Sequence, residues 1–172
     1  MKRPARALAG VLAGGAVLSP VHAVSAHAKK PTAVKVRHSD PETKKAAAAH
    51  GHSSFLLDAI FHDESSHNPG AHNRKTDAAG LGQHTAGGRK AVERIRRARG
   101  ERNWRYTRAD AFDAVRAIWA TAELLAYLID YCGSLPRALG AYATGSCRKG
   151  MTYARRILRY AEWLRQASEP RT

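Results

Sequence analysis

The feature that most constrains the fold is a long helical period between Arg108 and Tyr131. Apolar side chains recur there at steps of three and four residues, and these are Phe112, Val115, Trp119, Ala122, Leu125 and Ile129. That spacing places them on one face of a helix. Thr107 and Asp110 resemble a capping box at its start, and Gly133 ends it. Since no segment shows the alternation typical of a strand, the sequence predicts an all-α fold.

Further helices follow from the same kind of pattern. They are predicted for residues 53–64, 86–99, 134–145 and 150–167. Ser53 or Ser54 is the expected N-cap of the first of them. Residues 71–83 are polar and contain glycine, so this segment is predicted to be a loop. We therefore expect a single all-α domain over residues 50–168, followed by a C-terminal tail at 169–172.

The N-terminus has the composition of a secretory signal. Three basic residues precede an apolar run that ends near Leu18, and this run is too short and too rich in small residues to indicate a membrane span. Two cleavage sites fit the small-x-small pattern, after Ala23 and after Ala28, and the second is the better match. An uncleaved anchor is the alternative. Residues 1–28 are thus predicted to be a signal peptide. Residues 29–49, rich in lysine and proline, are predicted to be a disordered basic linker, although residues 46–49 could extend the next helix backward.

Charge and cysteine content narrow the compartment and the ligand class. The formal net charge is +15, and residues 29–172 keep +12 of it, which favours binding to anionic surfaces such as cell walls or nucleic acids. Export favours the wall, in the periplasm or the extracellular space. An oxidising compartment would allow Cys132 and Cys147 to form a disulfide. Closing that loop would stabilise the fold by about 3 kcal/mol, and two buried free thiols are the alternative.

Short motifs along the chain point to one family. Glu64 and Ser65 end the first predicted helix, residues 79–83 read Ala-Gly-Leu-Gly-Gln, and residues 141–145 read Ala-Tyr-Ala-Thr-Gly. Tyr153 follows in the last helix. Together these resemble the motifs of the soluble lytic transglycosylase (SLT) domain, over roughly residues 50–165. The resemblance implies a lysozyme-like fold with a substrate cleft, and an enzyme that cleaves the glycan strands of peptidoglycan.

Glu64 is the catalytic residue that this resemblance implies. A carboxylic acid can protonate a glycosidic oxygen at neutral pH only if its pKa is raised, and burial behind Ile60 and Phe61 would raise it. By the resemblance, Glu64 acts first as acid and then as base on the bond between N-acetylmuramic acid and N-acetylglucosamine. The substrate's N-acetyl group stabilises the positive sugar carbon, and the 6-hydroxyl then attacks. The implied product is a 1,6-anhydro sugar.

The resemblance also implies a set of substrate-binding residues, namely Ser65, Gly80, Leu81, Gln83, Tyr142 and Tyr153. Gly80 would let the backbone approach a ligand closely, and Gln83 would hydrogen-bond a sugar. Tyr142 would orient the substrate, while Tyr153 would hold the rotamer of Glu64. The Ser65 hydroxyl would fix the following loop or contact Glu64. For both tyrosines the alternative is a half-buried core residue.

The chain also departs from the family pattern. Gly82 stands where the family usually has a methionine that packs against a sugar, and Ala143 replaces an asparagine. Most glycosidases pair two carboxylates, yet the resemblance implies that Glu64 needs no second one. Asp63 would point about 100° away on a helix. Asp77 is interpreted as a turn residue, with a water-positioning role as the alternative.

Three rival functions remain open from sequence. The first is a hydrolytic muramidase of the same fold, the second an inactive peptidoglycan-binding protein, and the third a nucleic-acid binder based on the arginines between 94 and 108 with Trp104 and Tyr106. The histidines between 50 and 84 lack metal-site spacing. We expect glycan strands as the partner, envelope-machinery proteins as further candidates, a monomer, and no nucleic acid, metal, cofactor or stable membrane span.

Overall fold

The computed structural model describes residues 40–169. The predicted signal peptide at 1–28, the first part of the basic linker at 29–39 and residues 170–172 lie outside the described residues. Within residues 40–169, helices dominate: α1 (Pro41–Ala49), α2 (Ser54–Ser65), α3 (Ala86–Ala98), α4 (Arg108–Phe112), α5 (Ala114–Cys132), α6 (Leu135–Thr144) and α7 (Met151–Ser168). The all-α prediction is therefore confirmed. No helix of this part of the chain combines the length and apolarity needed to cross a membrane.

Helix α5 lies at the centre of the packing. It contacts α6 most extensively and also meets α1, α2, α3 and α4, while α7 packs against α2 and α6. The largest fully buried apolar side chains come from several of these helices, namely Leu57, Ile60, Phe61, Leu125, Leu139 and Ile157. Their mutual burial holds α2 and α7 side by side, and this pair carries the candidate site.

The end of the predicted basic linker is a folded helix, so the linker prediction is wrong for residues 41–49. Asp40 caps α1 by accepting a hydrogen bond from the backbone N–H of Glu42, and Pro41 occupies its first turn. Ala46 and Ala47 are buried in the core. Small alanine side chains allow this close packing, although they give little hydrophobic signal in the sequence. The alanine run thus belongs to α1 and does not extend α2.

The long helix predicted from Arg108 is interrupted at Asp113. Thr107 and Asp110 form the predicted capping box, which starts the five-residue helix α4. Asp113 then takes an extended conformation, and its side chain accepts a hydrogen bond from the N–H of Arg116 at 2.9 Å. Aspartate side chains compete for backbone N–H groups in this way. A new helix, α5, therefore begins at Ala114.

The predicted loop at 71–83 contains a small antiparallel hairpin. Its strands are β1 (His72–Asn73) and β2 (Ala78–Ala79), with His72 opposite Ala79. Ala78 and Ala79 are buried, so the hairpin is anchored to the helices. Two residues per strand are too few to show alternation in the sequence, which explains why it was predicted as a loop.

The disulfide between Cys132 and Cys147 is present, with the two Cα atoms 5.4 Å apart. It joins the end of α5 to the turn between α6 and α7. Because α6 and α7 carry Tyr142 and Tyr153, this bond holds together the helices that complete the candidate site.

Candidate active site

Glu64 lies in the last turn of α2, where the chain leaves the helix through Ser66 in a left-handed conformation. Ile60 and Phe61 in the turn before it are buried. The hydroxyl of Tyr153, on α7, donates a hydrogen bond of 2.7 Å to Oε1 of Glu64. This bond orients the carboxyl group, which matches the role predicted for Tyr153. Tyr153 is itself buried, so it is a fixed donor.

The surroundings of Glu64 favour its protonated form. Desolvation raises the pKa of Glu64 to about 7, against the opposing effect of the hydrogen bond from Tyr153. The charge of the adjacent Asp63 raises it further, and that of Arg156 lowers it. The C-terminal end of a helix also disfavours negative charge. At neutral pH, Glu64 is therefore close to its pKa and populates both protonation states.

The two aspartates considered as second carboxylates are held in ion pairs. Asp63 accepts a hydrogen bond of 2.7 Å from Nη2 of Arg156 and a second from its Nε. Asp77 pairs with Arg89 at 2.7 Å and with Arg108 at 3.0 Å. Asp77 also has a left-handed backbone, with φ 55°, as its interpretation as a turn residue expects. Both carboxylates are therefore engaged by arginine side chains.

Ser65 follows Glu64 but faces its own helix. Its hydroxyl donates a hydrogen bond of 3.0 Å to the carbonyl oxygen of Phe61, one turn earlier. Of the two roles considered for Ser65, contact with Glu64 is therefore absent from this arrangement. Ser65 instead bonds back to the carbonyl group four residues earlier in its own helix, as serine side chains in helices do.

The glycine-rich segment, residues 79–83, is packed more tightly against the helices than its sequence indicates. Gly80 has φ 74°, and a Cβ atom there would lie 1.6 Å from the carbonyl oxygen of Ala111. The close approach predicted for Gly80 is thus to α4 and not to an open ligand space. The side chain of Leu81 lies in the core and is 6% exposed. Gly80 and Leu81 therefore hold the segment in place from beneath.

Gln83 is held in a left-handed conformation, with φ 46°. Its side-chain Nε2 donates hydrogen bonds to the carbonyl oxygens of Ala71, at 3.1 Å, and Gly80, at 3.0 Å. These bonds join the two ends of the hairpin and use both amide protons. The Oε1 atom of Gln83 is the part of the side chain that could accept a hydrogen bond from a sugar.

Tyr142 connects α6 to the glycine-rich segment. Its hydroxyl donates a hydrogen bond of 2.7 Å to the carbonyl oxygen of Gly82. A Cβ atom on Gly82 would lie 2.7 Å from this hydroxyl, and still closer to Thr121. The space that a side chain at position 82 would need is therefore already filled. The departure from methionine has a structural reason, since glycine alone fits beside these polar groups.

His84 is the residue that sequence reasoning missed. It is 3% exposed, and its Nδ1 lies 2.9 Å from the hydroxyl of Tyr106. Its Nε2 lies 3.2 Å from the hydroxyls of both Thr121 and Tyr142. Because Tyr142 gives its proton to Gly82, a hydrogen bond between Tyr142 and His84 requires the tautomer with its proton on Nε2, and in that tautomer Nδ1 accepts from Tyr106. Desolvation lowers the pKa of His84 to about 4, so the imidazole is neutral.

The sequence contained one usable signal for this network. His84 directly follows the Ala-Gly-Leu-Gly-Gln motif, but in the sequence it is also one of the histidines between 50 and 84, whose spacing does not indicate a metal site. Thr121 and Tyr106 lie far from it along the chain, so nothing local linked the three. Within residues 40–169, no group of three or more histidine, cysteine, aspartate or glutamate side chains is arranged to hold a metal ion.

Two other residues of the motif at 141–145, Ala143 and Thr144, lie at the end of α6. Ala143 is partly buried against the core. The hydroxyl of Thr144 donates a hydrogen bond of 2.7 Å to the carbonyl oxygen of Gly140, so it closes the last turn of the helix. Both residues therefore serve the helix end that carries Tyr142.

Part of the arginine-rich segment has a structural role. Arg96 and Arg99 pair with Glu123, which is 2% exposed, at 2.7 Å and 2.6 Å. The guanidinium of Arg96 also stacks over Trp104, 4.4 Å from the ring centroid. These arginines neutralise a buried carboxylate and tie α3 to α5. The segment is therefore not a uniformly free cationic face.

A family model described as "Transglycosylase SLT domain" matches residues 42–157, about two thirds of the chain. The match begins within α1 and includes Glu64, the glycine-rich segment, Tyr142 and Tyr153. A search of curated proteins found no match.

Proposed function

Because the chain belongs to the family of transglycosylase SLT domains, we propose that it is a peptidoglycan lytic transglycosylase in which Glu64 is the only acid and base. The family acts on peptidoglycan. The sequence motifs that resemble those of the family are Glu64 with Ser65, residues 79–83, residues 141–145 and Tyr153. The bond proposed to be cleaved is the β-1,4 bond between N-acetylmuramic acid and N-acetylglucosamine.

One observation carries the proposal. Glu64 is a half-buried carboxyl group with a pKa raised to about 7, and Tyr153 fixes it through Oε1. Among residues 40–169 its Oε2 has no hydrogen-bond partner, so the proton on that atom is available to a ligand. The pKa of Glu64 lies close to neutral pH, where proton transfer in both directions is efficient.

The first step is bond cleavage with Glu64 as acid. Oε2 gives its proton to the glycosidic oxygen while the bond from that oxygen to C1 of N-acetylmuramic acid breaks. The electron pair stays on the oxygen, which leaves as a hydroxyl group of N-acetylglucosamine. The substrate's N-acetyl oxygen bonds to C1 and takes the place of a protein nucleophile. This fits a site in which Asp63 and Asp77 are both held by arginines.

The second step is ring closure with Glu64 as base. The 6-hydroxyl of the same sugar attacks C1, the bond from the N-acetyl oxygen breaks, and the carboxylate of Glu64 accepts the hydroxyl proton. The product is a 1,6-anhydro sugar, and no water is consumed. Glu64 returns to its protonated form, so the site is ready for another cycle.

Mass spectrometry of digested sacculi tests this proposal. Purified wild-type protein should release soluble fragments whose N-acetylmuramic acid ends lack one water relative to reducing ends. Reducing ends would instead indicate a hydrolytic muramidase. Binding to sacculi without release of fragments would indicate an inactive binding protein. Heat-treated protein serves as the control for spontaneous release.

The compartment forms part of the proposal. We propose that the chain is secreted and works in the periplasm or extracellular space, where peptidoglycan lies. The disulfide between Cys132 and Cys147 supports this, since such bonds persist in oxidising compartments. Labelling of free thiols in protein purified from the exporting cell tests it, and no labelling is expected before reduction.

A further inference from the structure

A pocket of about 480 Å³ lies beside the β1–β2 hairpin. Its lining residues come from the hairpin and from the chain on either side of it, and these are Ala71, His72, Asn73, Arg74, Lys75 and Gln83. Pockets that bind small ligands have volumes in this range. Of these residues, only Gln83 belongs to the predicted substrate-binding set, and none takes part in the two steps above.

The positive charge of this pocket is not neutralised. Arg74 and Lys75 are exposed, and within residues 40–169 neither forms an ion pair with a carboxylate. The hairpin's acidic residue, Asp77, is engaged by Arg89, Arg108 and His72. The pocket therefore presents two free cations to any ligand that enters, and such a site attracts anions.

The backbone around the pocket is held in a fixed shape. Gln83 joins Ala71 to Gly80 through two side-chain hydrogen bonds. Arg89 donates to the carbonyl oxygens of Asp77, at 3.0 Å, and His84, at 2.8 Å. A site that is already ordered loses less entropy when it binds a ligand. The frame of the pocket is thus preorganised, while the two long cationic side chains can adjust.

A series of neighbouring residues connects Glu64 to the pocket. Tyr153 contacts Glu64, and the charge of Glu64 contributes to the raised pKa of Tyr142, so these groups are neighbours. Tyr142 in turn contacts Gly82, which precedes Gln83 in the lining of the pocket. A glycan strand cleaved at Glu64 and passing Tyr142 would therefore extend toward the hairpin.

We propose that this pocket binds a carboxylate carried by an N-acetylmuramic acid residue of the bound strand, with Arg74 and Lys75 as its cationic partners. This inference rests on the proposed function, because it takes a glycan strand as the ligand. Two groups can supply the carboxylate. One is the lactyl group after removal of its peptide, and the other is a free carboxylate of the peptide stem.

Binding measurements in a Glu64→Gln background test the proposal without cleavage of the ligand. The ligands are soluble strands with peptide stems, strands stripped by an amidase so that lactyl carboxylates remain, and neutral N-acetylglucosamine oligomers. The measured quantity is the ratio of the Kd for neutral oligomers to the Kd for each anionic ligand. Replacing both Arg74 and Lys75 with Gln should lower that ratio by about three- to tenfold, the range expected for two exposed charge contacts.

The matched control replaces Lys44 and Arg102 with Gln, which removes the same charge from α1 and from the α3–α4 connection. Its ratio should stay within about twofold of the parent's, since charges outside the pocket contribute only through screened, long-range attraction. A drop with the stripped strands alone identifies the lactyl carboxylate, and a drop with peptide-bearing strands alone identifies the stem. A drop with both shows that the pocket accepts either carboxylate. Equal ratios for the pocket and control variants would overturn the proposal.

The wall-digestion experiment separates this inference from the function on which it rests. If wild-type protein releases no fragments from sacculi, the proposed function fails. If it releases anhydro fragments while the pocket and control variants bind alike, only the carboxylate pocket is wrong.

Discussion

Glu64 and His84 are both titratable groups whose pKa is shifted by desolvation. They differ in whether every polar atom of the side chain has a hydrogen-bond partner inside the protein. Desolvation raises the pKa of Glu64 to about 7 and lowers that of His84 to about 4, so each favours its neutral form. Both nitrogens of His84 have partners inside the protein. Glu64 uses only Oε1, toward Tyr153. A shifted pKa alone therefore does not identify a catalytic group; an unpartnered atom beside the ligand is also required.

The largest effect is expected from Glu64→Gln. Glutamine keeps the shape and can accept the hydrogen bond from Tyr153, but it has no proton to give. The rate of fragment release from sacculi should fall by about 10²- to 10⁴-fold. The measurement is release of soluble muropeptides per unit time at neutral pH.

The control for that experiment is His84→Gln, compared at a temperature where both variants are folded. It should retain far more cleavage than Glu64→Gln, because His84 acts only through Tyr142 and Gly82. Near-wild-type release by Glu64→Gln would refute the catalytic assignment. Equal losses in the two variants would show that the contrast drawn between these two residues is false.

The second effect is a loss of stability in the His84→Gln variant. At pH 7 the His84→Gln substitution disturbs the contacts with Tyr106, Thr121 and Tyr142, and leaving one of these buried groups unsatisfied costs about 1–3 kcal/mol. Urea unfolding at pH 7 measures the loss. A His52→Gln variant is the comparison, because His52 bonds one backbone carbonyl and is less buried. A smaller loss for His84→Gln would mean that the network is not an essential part of the core.

The same contrast explains which parts of the fold and of the candidate site could be predicted from the sequence. Glu64, Tyr142 and Tyr153 were identifiable because the family motifs name them, and the helical period gave most helix limits within one or two residues. The His84 network could not be found, since its members are 15 to 58 positions apart in the chain. Packing likewise decided the folding of α1, where Ala46 and Ala47 carry little hydrophobic signal. The break at Asp113 depended on a single side-chain cap.

The third effect is expected from Tyr153→Phe, which removes the hydrogen bond to Oε1 of Glu64. That bond lowers the pKa of Glu64, so its loss should raise this pKa further. The decline of kcat/KM with increasing pH should therefore shift to higher pH, while the rate at neutral pH falls by about tenfold as the carboxyl loses its fixed orientation. A pH profile of both proteins measures the shift.

A tyrosine elsewhere in the fold controls for general effects of removing a hydroxyl. Tyr127→Phe removes a buried hydroxyl that has no hydrogen-bond partner among residues 40–169, so it should leave the pH profile in place. A Tyr153→Phe profile that only decreases in height, without moving, would indicate a purely structural role for Tyr153.

The smallest effect separates the two groups by the sign of their pH dependence. His84 has a lowered pKa, so the unfolded chain binds more protons between pH 4 and 6.5, and His84 makes stability rise with pH across that range. Glu64 has a raised pKa, so the folded chain binds more protons between pH 4.5 and 7, and Glu64 makes stability fall as pH rises. In the wild-type protein the two slopes oppose each other.

Glu64→Gln should therefore leave Tm little changed at pH 4 and raise it by about 2–4 °C at pH 8, whereas His84→Gln should flatten the rise between pH 4 and 6.5. Thermal unfolding of both variants at pH 4, 6 and 8 measures these changes, and a lower Tm for Glu64→Gln at pH 8 would contradict the view that Glu64 carries a desolvated charge there.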